Sequence, residues 1–165
     1  MLVIRVLALV LLFVIAVFLL WVVVVNLSKR EDSMWYGGRP STLGVKDGKL
    51  SGPKQTPNSV VSDSVAPTHP AYVAPIAFTG DENVAMTKLT TIVKAMEGAT
   101  LVTIEDAYLY AEFNSKTMRY TDDFEARVDA AAGVIHVRSA SRLGKRDFDV
   151  NRQRVETIRA KFAAD

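Results

Sequence analysis

The densest run of chemistry-bearing side chains lies between residues 138 and 154. It holds six cations (Arg138, Arg142, Lys145, Arg146, Arg152 and Arg154), the hydroxyls of Ser139 and Ser141, Asn151, and two acids, Asp147 and Asp149. A turn at Gly144 separates a β-rich stretch from a helical one. Arginine forks match phosphate or carboxylate oxygens, and a helix start offers free N–H groups, so an anion-binding corner is chemically reasonable. The competing reading pairs these arginines internally with Asp122, Asp123, Asp147 and Asp149, and the sequence favours it.

Other constellations are sparse. His69 sits beside Pro70 in a proline-rich stretch, and His136 alternates out of step with Ile135 and Val137. That spacing puts His136 on a polar strand face near Glu125, as a solvated neighbour rather than a general base. A hydrolase would have to join His136 to Ser139 or Ser141, and this is the least favoured reading; no catalytic residue is assigned. Two scattered histidines without any cysteine make no zinc site, and no glycine loop cradles a phosphate. No metal or cofactor is expected. Twenty Lys+Arg against 18 Asp+Glu give a net charge of +2, too small for a nucleic-acid binder.

The elements that position these groups follow from periodicity. Asp81 and Glu82 suit a helix start. Ala85, Leu89, Ile92, Val93 and Met96 then share one face, and Gly98 ends it. Strands are predicted over 100–105, 107–113, 123–129 and 134–142. In the third, Phe124, Ala126 and Val128 face one way, and Asp123, Glu125, Arg127 and Asp129 the other. Val155, Ile158 and Phe162 stripe a last helix that begins near 149–151. The expected fold is α+β: an antiparallel four-stranded meander covered on one face by two helices, with its other face exposed and charged.

The remaining apolar residues are concentrated at the start. Residues 6–25 carry no polar side chain. At 1.5 Å per residue such a run spans about 30 Å, a bilayer's hydrocarbon core. It lacks an Ala-x-Ala ending, so an uncleaved single transmembrane helix is predicted over a cleaved signal peptide. Arg5 on one flank and Lys29-Arg30 on the other nearly tie, so charge does not orient it. Three regions result: an anchor over 1–28, a Pro/Gly-rich extended segment over 29–80 that either tethers the domain or partly wraps it, and the α+β domain over 81–165.

Tyr120-Thr121-Asp122-Asp123, Arg138-Ser139-Ala140-Ser141-Arg142-Leu143-Gly144, Asp147 and Asn151-Arg152-Gln153-Arg154 together resemble a domain-of-unknown-function family, DUF1499. Leu43-Gly44, Gly48-Lys49-Leu50 and Thr56-Pro57-Asn58 are similar to its upstream signature. The resemblance covers residues 39–160 and implies no activity. It favours a wrapping path for 39–76, because a mere tether keeps no signature. Members commonly carry a cysteine on either side of the Pro-Asn pair; here Pro53 and Ser59 stand in those places, so whatever that pair does is absent. Members often bear export signals or anchors, which tilts the domain to the periplasmic side of the cytoplasmic membrane. The expected function is a membrane-anchored extracytoplasmic binding or accessory subunit. Its partners would be the bilayer, through residues 6–25, and other membrane-protein subunits. The alternative is a cytoplasm-facing domain that binds an anionic ligand or lipid headgroup through the arginine cluster.

Overall fold

A computed structural model describes residues 2–28, 37–116 and 120–164, and within the first helix the side chains of 9–24. The flanking charges Lys29, Arg30, Glu31 and Asp32, and the side chain of Arg5, lie outside the described residues. The chain divides into two compact units, Met1–Gly38 and Arg39–Asp165.

The first unit is helix α1, Leu2–Ser28. From Leu9 to Val24 its side chains are exposed, apart from half-buried Val22, and Phe18 and Trp21 have ring centroids 6.0 Å apart. The predicted span over 6–25 runs past the side chains described. Among the described residues no helix is long and apolar enough to cross a membrane.

The second unit is a mixed α+β domain. Its elements are β1 (Ser59–Val61), β2 (Ile76–Ala77), α2 (Glu82–Lys94), β3 (Ala99–Glu105), β4 (Tyr108–Asn114), β5 (Thr121–Asp129), β6 (Val134–Ser141) and α3 (Val150–Ala164). The last four strands form the expected antiparallel meander, but the sheet has six strands, in the order β1-β6-β5-β4-β3 with β2 also on β6. The two extra strands come from the proline-rich segment, which pairs Ser59 with Ala140 and Ile76 with Ile135. Strands of three and two residues are too short to register as an alternation, which is why sequence periodicity misses them.

Local chemistry fixes the helix ends and the tight turn. Asp81 caps α2 by accepting from the N–H groups of Asn83 and Val84. Gly98 has φ 74°, and a Cβ built there would sit 2.4 Å from the Asn114 carbonyl oxygen, so the turn into β3 admits no side chain.

The core lies between the helices and one sheet face. Phe124, Ala126, Ile135 and Val137 pack with Leu89, Ile92, Val155, Ile158 and Phe162, as the alternation predicts. The opposite face departs from expectation. Glu125 is 0% exposed, Asp123 1% and Arg138 4%. The backbone of residues 39–64 lies over them: Gly44 N–H donates to Glu125, and Arg138 reaches the Gly52 carbonyl. The polar face is an interior face, covered by the wrapping segment.

Candidate functional site

Strand period places Asp122 and Asp123 on opposite sides of β5, and this splits the arginine-rich motif into two networks. On the helix side, Arg154 of α3 donates to Asp122 at 2.7 Å, with its guanidinium over the Phe113 ring. Asn151, fully buried in the first turn of α3, is the hub there. Its Oδ1 accepts from Ser139 Oγ and Arg154 Nη1, both at 2.6 Å. Its amide nitrogen faces Asp147 Oδ2, Ser141 Oγ and the Asn58 carbonyl. Asp147 also accepts the Asn151 backbone N–H and so caps the helix start. Asn58 is itself fully buried and donates to the Gly144 carbonyl at 2.9 Å. The upstream Thr-Pro-Asn signature and the Asn-Arg-x-Arg motif are thus halves of one hydrogen-bonded joint.

On the wrapped side, tyrosine, acid and arginine recur in two sets, drawn from β4, β5 and the β6 segment up to Arg142, which directly follows the strand. Glu125 accepts from Tyr108 at 2.9 Å and Arg138 at 2.9 Å. Asp123 accepts from Tyr110 at 2.7 Å and Arg142 at 2.8 Å. Glu112 closes the second set, accepting from Arg142 and from Arg39. Burial opposes ionisation of Glu112, yet the bonds from Arg39 and Arg142 outweigh it and hold its carboxyl below the usual range. Burial, together with bonds to carboxylates, raises both tyrosine hydroxyls well above ordinary phenol values. These are permanent hydrogen-bond donors, unsuited to proton exchange at neutral pH.

Of the candidate arginines, Arg154 takes Asp122 and Arg142 takes Asp123, whereas Arg138 takes Glu125 and Asp147 caps a helix. Among the described residues Arg152 pairs with no acid: it donates to the carbonyls of Tyr72 (2.8 Å) and Pro70 (2.6 Å). Ser139 and Ser141 lie on the helix side, bound to Asn151. Arg39, Glu112, Glu125, Tyr108 and Tyr110 were not expected in the network. Alternation marks the face of Glu125 as polar, and no local signal says that a distant segment covers it.

Arg152 borders a cleft of about 450 Å³ lined also by Lys54, Gln55, Thr56, Pro57, Ser59, His69, Asp147 and Asp149. Lys54 Nζ donates to the Ser141 carbonyl at 2.8 Å. Burial and then the Arg138 charge lower its pKa against the pull of Asp123 and Asp122. His69 Nδ1 accepts the Ala71 N–H, which leaves its proton on Nε2. The Lys54 N–H donates to Ser59 Oγ at 2.8 Å, so Ser59 lies against the backbone that follows Pro53. Charges of both signs surround an open volume of small-molecule size.

His136 lies on the same sheet face as Glu125, in register with Arg127. His136 Nδ1 is 3.2 Å from Ser62 Oγ, and its Nε2 is 3.8 Å from Asp129. Neither Ser139 nor Ser141 meets it. Ser62 is 6% exposed and its Oγ accepts the Val137 N–H, completing the edge ladder rather than facing a substrate. Arg127, expected to be exposed, pairs with Asp63 at 2.9 Å. Among the described residues no cluster of histidine and acid groups could hold a metal ion.

A family model described as Protein of unknown function (DUF1499) matches residues 49–162. No curated protein and no solved structure matches the chain.

Proposed function

The chain belongs to the DUF1499 family of proteins of unknown function, and we propose that it serves as a membrane-anchored binding or accessory subunit rather than as an enzyme. The anchor is the apolar run 6–25, a single span of the cytoplasmic membrane, and the α+β domain faces the periplasm. Twenty apolar residues match the hydrocarbon thickness. The exposed Leu, Val, Ile and Phe side chains between Leu9 and Val24 are unfavourable in water by about 25 cal/mol per Å².

One observation carries the binding role: the motif residues divide into two groups. Asp122, Asp123, Arg138, Ser139, Ser141, Arg142, Asn151 and Arg154 are spent on internal bonds. Thr56, Pro57, Asp147 and Arg152, drawn from both ends of the domain, line one cleft as well as making bonds of their own. The first group is scaffold, and the cleft is the place where another molecule is held. In the only serine–histidine contact described, Ser62 is buried and its Oγ accepts a backbone N–H, which weighs against a hydrolase. The rival, an anionic ligand bound by the arginine cluster on a cytoplasm-facing domain, would draw on Arg152 and the neighbouring Lys54, because Arg138, Arg142 and Arg154 are occupied by carboxylates.

Topology is tested by fusions to the C-terminal end. An active alkaline phosphatase and a dark fluorescent protein are expected. The reverse pattern places the domain in the cytoplasm and overturns the periplasmic reading.

A further inference from the structure

The two edges of the sheet are treated differently. On one side β6 is capped by β1 and β2, and Val61 of β1 exchanges backbone bonds with Ala71 and Val73 in turn. On the other side β3 is the last strand, and among the described residues no backbone partner lies outside it beyond Ala99. A row of unpaired N–H and C=O groups is a template for a further strand. β3 carries no proline or lysine, and its Ile104 is 60% exposed and Val102 38%. Beside it, a groove of about 510 Å³ runs between α2 and β3, lined by Met86, Thr90, Leu101 and Ile104. Lys94 lies toward one end of this groove, and Glu105 and Asp106 toward the other.

We infer that the β3 edge is a self-association surface, on which a second copy of the chain pairs antiparallel. The charge pattern selects this occupant. A strand that fits must present an acidic end to Lys94 and a basic end to Glu105 and Asp106, and a second β3–α2 edge turned about a two-fold axis supplies both. The faces fix the register. Leu101 and Ile104 lie opposite Ala111 and Leu109 on the helix side; Thr100 and Glu105 lie opposite Glu112 and Tyr108 on the wrapped side. The bulge between Leu101 and Thr103 shifts this parity, so like faces meet when Leu101 of one copy opposes Ile104 of the other and Thr100 opposes Glu105. The four apolar side chains then close one continuous stripe across the two grooves. This pairing does not depend on the proposed anchor or cleft.

The chain has no cysteine, so introduced thiols report without background. In the full chain in detergent, Thr100→Cys/Glu105→Cys should give a disulfide-linked dimer on mild oxidation. Within one chain these positions are about 17 Å apart along the strand and cannot join. Thr100→Cys alone should stay monomeric on a non-reducing gel. Ile104→Lys, at an exposed position, should melt like the wild type and move the native mass from dimer to monomer. A wild-type chain that is monomeric, a dimer that survives Ile104→Lys, or equal cross-linking by the single and double cysteine variants would each overturn the inference.

Discussion

Asp122 and Asp123 are neighbours in the chain and bond to arginines on opposite sides of the sheet. Asp122 holds Arg154 beneath α3, and Asp123 holds Arg142 beneath the wrapping segment. Among the described residues the two pairs share no partner, so each fastens a different layer to the same strand.

Removing either arginine therefore loosens one layer. Arg142→Ala leaves Asp123, 1% exposed, without its cation and should cost about 3–5 kcal/mol. Arg154→Ala should destabilise in the same direction. The double variant should equal the sum of the two within about 0.5 kcal/mol, because the pairs are independent. Chemical denaturation of the three variants checks this; a large coupling would mean one shared network.

Which parts were legible in the sequence follows from how far the governing contacts reach. The alternation of Phe124, Ala126 and Val128 and the cap at Asp81 are local patterns, and both were readable. Burial of Glu125 depends on Gly44, 81 residues away. Nothing in the spacing of β5 distinguishes a solvated polar face from one covered by an irregular segment. The same limit hid the cleft, whose lining residues Lys54 and Arg152 are 98 residues apart in the chain. Periodicity does separate Asp122 from Asp123, but a run of arginines read as one corner conceals that split.

Gly98→Ala should be costly although it adds a single methyl. The left-handed backbone alone disfavours alanine by about 1–2 kcal/mol, and the Asn114 carbonyl adds a backbone clash. Gly38→Ala, with nothing within 4 Å of the new Cβ, serves as the control and should melt like the wild type.

His136 makes stability depend on pH. Burial and then the Arg127 charge depress its pKa below the ordinary 6.5, against Asp63 and Asp129. The neutral ring is the form the fold prefers. Its contribution is complete above pH 6.5 and is lost as pH falls through the depressed folded value. The melting temperature should drop between pH 7 and 5, and His136→Gln should flatten that slope. An unchanged slope would place the titration elsewhere.

Pro53→Cys/Ser59→Cys should form a disulfide where Lys54 N–H now meets Ser59 Oγ. Closing so short a loop is worth about 2 kcal/mol. Melts with and without reductant, alongside thiol titration, read the gain; free thiols in the folded protein would show that the two positions do not meet.

The central claim is that the motif builds a scaffold around a cleft that holds a partner molecule. It is tested most directly by purifying the full chain in mild detergent from the cells that naturally express it, beside a Gln55→Trp variant. Gln55 is exposed at the cleft, so tryptophan fills the opening without touching the ion pairs. The wild type should bring another subunit in fixed ratio, and the variant should melt alike but come alone. A wild-type chain that purifies without any partner, or a filled cleft that keeps it, would contradict the account.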